Sequence, residues 1–83
     1  VVAYTLGRIL LVQVRRPRAA ALAFARYRQL APRGALAEDA LAHEVESWAR
    51  AGAADLARQR AEEYVTSYPE GRRLQSVKRQ GRL

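Results

Sequence analysis

The residues of this 83-residue chain that could do chemistry are few. His43 is its single histidine, with Asp39 four residues before it, Glu46 three after and Ser47 four after. On a helix these side chains share one face. Such a set could serve as a weak divalent-cation patch or as a Ser–His–acid arrangement. The first lacks a second histidine or any cysteine. The second fails on geometry, because nucleophile and acid must approach the imidazole from opposite sides. The set therefore predicts an exposed histidine among helix-stabilising charges. Two pairs of carboxylates are adjacent, Glu38-Asp39 and Glu62-Glu63. Neighbouring helical residues point about 100° apart, so neither pair makes an acid–base dyad. Glu38 is assigned to the start of a helix, and Glu62-Glu63 to a wet face. With no activated nucleophile and no ligand set, an enzyme fragment ranks last, and no metal or other cofactor is expected.

Arginine is the other chemical resource. Lys78 is the only lysine among 15 basic residues, against 8 acids, for a net charge of +7. An excess of arginine and alanine with almost no lysine is what a GC-rich genome produces, so the total is partly a codon signature. The distribution says more. Residues 1–35 hold seven arginines and no acid, residues 36–70 hold all eight acids, and the last thirteen hold Arg72, Arg73, Lys78, Arg79 and Arg82. That tail is the strongest nucleic-acid candidate, since cations on phosphates give salt-sensitive, sequence-independent binding. Against it, no aromatic side chain interleaves for base stacking, and no helix-turn-helix or zinc-finger signature appears.

These side chains are carried by helices. Ala3, Leu6, Leu10 and Val14 form a stripe at helical spacing over residues 2–14. A second helix from Pro17 to about Ala31 carries Ala20, Ala23, Phe24, Tyr27 and Leu30, and Pro32 ends it. A third spans roughly 36–51 with Leu41, Val45 and Trp48 inward and Gly52 as its stop. A fourth runs from about Ala54 to Ser67 with Ala57, Ala61, Tyr64 and Val65 inward, and a short fifth over 72–80 is anchored by Leu74 and Val77. Six aromatic residues, Tyr4, Phe24, Tyr27, Trp48, Tyr64 and Tyr68, are assigned to packing. No apolar run approaches the length needed to cross a bilayer, and no basic stretch precedes Ile9–Val12 as in a signal peptide. The absence of an initial methionine predicts a piece of a longer precursor.

A shift of 37 residues superposes the chain on itself. Ala20 falls on Ala57, Tyr27 on Tyr64, Pro32 on Pro69 and Gly34 on Gly71, so both segments read Tyr-x4-Pro-x-Gly. Each unit is a helix, a turn, a second helix and a Pro-x-Gly exit. Small residues at Ala20 and Ala57 allow the two helices to cross closely. One such pair cannot bury its own apolar faces, so units must stack.

On these residues the chain resembles the tetratricopeptide (TPR) repeat family. Leu6-Gly7, Ala20-x3-Phe24 and Pro32 match its pattern in the first unit; Leu41, Val45, Trp48, Gly52, Ala57 and Pro69 match in the second. The chain departs from it in having Glu44-Val45 for the Leu-Gly step, Ala61 in the place of Phe24, Arg15-Arg16-Pro17 at the first turn and a period of 37 rather than 34. The Tyr-x4-Pro-x-Gly exit is similar to that of bacterial cell-envelope TPR proteins and of the C-terminal tails of FecR-type anti-sigma regulators. The resemblance implies an all-α domain with repeat one over 2–35, repeat two over 36–71 and a capping helix over 72–83. It implies a bacterial, envelope or periplasmic scaffold that binds a protein or peptide on its first helices. The groove candidates, taken as residues that internal packing does not need, are Tyr4, Arg8, Leu11 and Arg15, then Ala42, Glu46, Ala49 and Arg50. Arg8, Arg15 and Arg50 suit an acidic segment or a C-terminal carboxylate. The alternative is a basic module holding nucleic acid through its arginine-rich ends. Two units are few for an isolated stack, so further repeats, self-association through the first helix or a docked partner is expected. The whole reading requires Trp48 to be buried.

Overall fold

The computed structural model describes residues 2–13 and 15–83, without the side chain of Gln13. It contains α1 (Val2–Arg8), continued by a π-helical segment Ile9–Gln13, then α2 (Pro17–Leu30), α3 (Ala37–Arg50), α4 (Ala54–Ser67) and α5 (Leu74–Gly81), with no strand among the described residues. The fold is all-α. α1 packs on α2 and α3 on α4 as successive hairpins, α2 packs on α3 to join them, and α5 covers both α3 and α4. Trp48 is 8% exposed, within a cluster with Ala21 and Ala57.

The 37-residue period is present in the backbone. α2 and α4 are the same length and begin and end 37 residues apart, and α5 begins 37 residues after α3. The exits match bond for bond. Ala31 (φ −142°, ψ 66°) and Tyr68 (φ −133°, ψ 65°) close their helices by donating an N–H to the carbonyls of Tyr27 and Tyr64. Gly34 and Gly71 then donate to Ala31 and Tyr68, and Ala37 and Leu74 donate to the two glycines. The tyrosine ring folds over each turn. A Cβ at Gly34 would stand 2.6 Å from the Tyr27 hydroxyl, and one at Gly71 would collide with that of Tyr64. The spacing from tyrosine to glycine is thus a packing requirement. α5 occupies the place of a third unit's first helix, with Val77 and Gly81 at the positions of Ala40 and Glu44.

The first helix corrects the predicted stripe. Tyr4, Gly7 and Leu11 face the core, whereas Leu6 is 47% exposed and Leu10 half-buried. Val14 lies outside the described residues. The cause is Gly7: a Cβ there would sit 2.9–3.0 Å from the Phe24 ring, so α1 lies on Phe24 through a residue with no side chain. A stripe read from apolar side chains cannot count a glycine. Tyr4 fills the space beside it, edge-on to Phe24 and Tyr27 at 5.5 and 5.7 Å between ring centres. Ala20, Phe24, Tyr27, Leu41, Val45, Ala57, Ala61, Tyr64 and Val77 are buried as predicted. Leu30 is not; it stands exposed on α2 while Ala21 is buried in its stead.

The turn after the first helix carries a cost. Arg15 adopts φ +56°, and Gly52, 37 residues later, adopts φ +77°. Both hairpins need a left-handed residue to reverse the chain, and only the second has glycine. Left-handed geometry costs a residue with a Cβ roughly 1–2 kcal/mol, offset in part by the greater unfolded-state freedom of glycine. Arg15→Gly therefore stabilises the protein by about 0.5–1 kcal/mol, and Gly52→Arg destabilises it by about 1 kcal/mol. Urea unfolding of the two variants checks both signs.

Candidate functional site

The groove candidates divide by burial. α5 covers α3 over Ala42 and Val45, both buried. α1 makes no comparable contact with α3, and the equivalent residues Thr5 and Arg8 are exposed. Two clefts open there and share Val12. One, of about 280 Å³, is lined by Tyr4, Thr5, Arg8, Ile9 and Val12. The other, of about 490 Å³, is lined by Leu11, Val12, Arg15, Pro17 and Arg50. Arg8 thus borders the first cleft and Arg15 and Arg50 the second, with Ile9 and Val12 39% and 62% exposed beside them. Tyr4 and Leu11 were expected to be unneeded by internal packing; they are 8% and 3% exposed and belong to the core cluster with Phe24, touching the clefts only at their edges. Ala42 is corrected likewise, and Ala49 is half-buried.

Charge balance differs along the cleft. Arg50 pairs with Glu46 at 2.7 Å, and Glu46 also lies 3.4 Å from His43 Nδ1. The hydrogen bond from His43, aided by Arg50 and opposed by burial, holds the Glu46 carboxyl below the usual carboxylate range. Among the described residues no acid lies within ion-pair distance of Arg8 or Arg15, nor of Arg16, Arg18, Arg26 or Arg33; in the first unit only Arg28 is paired.

His43 is not the exposed histidine its neighbours predicted. Its ring stacks on Phe24 at 5.2 Å and meets the edge of Tyr4. Ser47 is fully buried and donates its hydroxyl to the His43 backbone carbonyl at 2.7 Å, turned away from the ring. Asp39 turns instead to the tail, taking Arg73 Nε at 2.9 Å and Arg72 Nη2 at 3.1 Å. No group of three metal-ligating side chains assembles among the described residues.

The tail is therefore partly spent inside the molecule. Of Arg72, Arg73, Lys78, Arg79 and Arg82, the first two are tied to Asp39, and the other three have no acid within ion-pair distance among the described residues. Glu38, assigned to starting α3, does sit in its first turn. It also accepts the Tyr64 hydroxyl at 2.7 Å and the Arg72 backbone N–H at 3.2 Å, while Arg73 N–H donates to Tyr64 Oη at 3.1 Å. Burial first, then the bond to Glu38, pushes the Tyr64 phenol up to about 12. Its folded pKa lies above the ordinary 10, so its contribution to stability is complete below pH 10 and is lost between pH 10 and 12. Tyr4, raised mainly by burial, acts in the same direction. An ultraviolet titration is expected to show a phenol ionising near 12 that vanishes in Tyr64→Phe, with alkaline unfolding of the parent in step with it.

One group of functional weight escaped the sequence. Glu44, only 3% exposed, receives Arg28 Nη1 at 2.5 Å, Arg60 Nε at 3.6 Å and Trp48 Nε1–H at 3.4 Å. Arg28 also reaches Glu63 at 2.5 Å, and Arg60 holds Glu63 at 2.7 Å. The four side chains close a ring across α2, α3 and α4, in which Glu63 still leaves 38% of its side chain exposed. Its only signal in the sequence was a carboxylate on the apolar side of α3. Removing one partner of a buried pair costs about 3–5 kcal/mol. Arg60 remains near Glu44, so Arg28→Ala is expected to cost less, about 2 kcal/mol, and more than Arg58→Ala on the exposed Arg58–Glu62 pair, by thermal unfolding.

No protein-family model, no curated protein and no solved structure matches the chain. No helix among the described residues is long and apolar enough to cross a membrane.

Proposed function

We propose that this chain is a non-catalytic interaction module of TPR type, and that the cleft along α1 holds an acidic segment of a partner protein. The observation that carries the reading is the cleft itself. Two arginines without an acid partner among the described residues, Arg8 and Arg15, and a third, Arg50, border two adjoining clefts lined by Ile9, Leu11 and Val12. Guanidinium groups match carboxylates in shape and charge, and this lining takes an apolar side chain between them. A segment with carboxylates flanking a leucine or valine, or ending in a free carboxylate, fits this arrangement. Supporting it further, among the described residues no acid lies within ion-pair distance of any unit-one arginine other than Arg28, so their charge is available to a partner. The nucleic-acid alternative has less support: Arg72 and Arg73 are already bound to Asp39, and no aromatic side chain projects among the remaining tail cations.

Fluorescence anisotropy with labelled peptides tests the reading. A Glu/Leu-rich peptide with a free C-terminus is expected to bind better than its amidated form and far better than a lysine-rich control. Arg8→Glu with Arg15→Glu weakens it by about tenfold or more, ~1.4 kcal/mol. Binding indifferent to the double substitution sinks the proposal. So does tighter, steeply salt-dependent binding of a DNA duplex that survives it.

A further inference from the structure

The chain contains one complete junction between units, and its period shows what the first unit leaves uncovered. Where α3 meets α2, Ala40 joins the cluster of Phe24 and Tyr27, His43 stacks on Phe24, and Glu44 binds Arg28; from α4, Glu63 binds Arg28 as well. Thirty-seven residues earlier the same positions are Ala3, Leu6, Gly7 and Arg26. Ala40 is fully enclosed while Ala3 is half-buried. His43 has the Phe24 ring against it, whereas Leu6 is 47% exposed. Leu10 is half-buried where its counterpart Ser47 is fully enclosed. The face is thus built to the junction's pattern and is more apolar than its internal counterpart.

Charge says what can cover it. At the internal junction the covering helix brings a cation, Arg28, to two carboxylates. On the first unit those carboxylates are replaced by Gly7, which has no charge, and by Arg26, which is exposed and has no acid partner among the described residues. A helix docking as α2 docks must reverse its charge. We infer that Ala3, Leu6, Leu10 and Arg26 form a docking face for an amphipathic helix of a partner, one that lays an aromatic or large aliphatic side chain on Leu6 and a carboxylate against Arg26. This face shares no residue with the α1 cleft, so its test is independent of peptide binding there.

The experiment supplies the helix at high local concentration. An extra copy of residues 1–37 is fused in register ahead of the full 83-residue chain, with Arg28 of the copy kept or replaced by Glu. The Arg28→Glu fusion is expected to melt above the unfused chain and several degrees above the Arg fusion. Arg26→Glu in the receiving unit reverses the order of the two fusions. The inference is overturned if both fusions melt at or below the unfused chain, or if their order ignores residue 26. Sedimentation of the unfused chain is the remaining arm. A monomer that stays monomeric in Leu6→Glu fits a foreign helix. A dimer that Leu6→Glu dissociates makes a second copy the occupant and overturns the assignment.

Discussion

The two hairpins become one body where α2 lies on α3. Within each hairpin much of the packing is local: a tyrosine over its own turn, an alanine at its own crossing. Neither hairpin is large enough to enclose its apolar faces, and stability in such stacks resides in the contact between neighbours. Here that contact joins apolar packing to buried charge. Phe24, Tyr27 and Ala40 share a cluster, and beside them Arg28 inserts between Glu44 and Glu63. A buried carboxylate adds little to stability by itself, because desolvation offsets most of the attraction. Its effect is on register. Slide α3 along α2 by one turn and Glu44, 3% exposed, loses Arg28, a penalty added to that of the lost apolar contacts.

How much of this was legible from residues alone follows from what a helical pattern encodes. The exits were legible because they depend on three residue types at fixed spacing, and the tyrosine hydroxyl over Gly34 and Gly71 explains that spacing sterically. The inward faces of α3 and α4 were legible because large side chains mark them. The register of α1 was not, because its closest approach to the core is made by Gly7. The Glu44 ring was not, because its partners lie sixteen residues away on either side, on two other helices. A glutamate on a helix reads as solvated unless those distances are known. The cleft was half legible: Arg8, Arg15 and Arg50 border it, while Tyr4 and Leu11 serve mainly as its underside.

The repeat also separates what the fold demands from what it merely tolerates. α2 and α4 have the same backbone over equivalent positions, so a difference in exposed side chains between them is not imposed by the helix. Gly52 and Arg15 share a left-handed conformation, which carries a conformational cost for the arginine alone. The outward face of α4 carries Asp55, Gln59, Glu63 and Ser67 where α2 carries Arg18, Leu22, Arg26 and Leu30. Both helices are fourteen residues long and pack against their own first helix. Folding is served by either set. Arg18 and Arg26, exposed and without acidic partners among the described residues, and the exposed Leu22 and Leu30 are therefore a property of the first unit's surface.

That surface is also where internal compensation stops. The acidic middle of the chain is consumed from both sides: Glu44 and Glu63 by Arg28 and Arg60, Glu38 and Asp39 by the backbone and side chains at Arg72 and Arg73. The exposed pairs among these contribute little each, the buried Glu44 pairs more, and all of them neutralise charge that would otherwise repel. What remains after they form is an excess of guanidinium groups on the first unit, set among exposed valine, leucine and isoleucine. In the function proposed above, long-range attraction favours partners of negative charge, and the apolar lining of the clefts admits those that also bring hydrocarbon. A fully hydrated polyanion satisfies only the first condition, whereas a polypeptide segment with acids flanking an aliphatic side chain satisfies both.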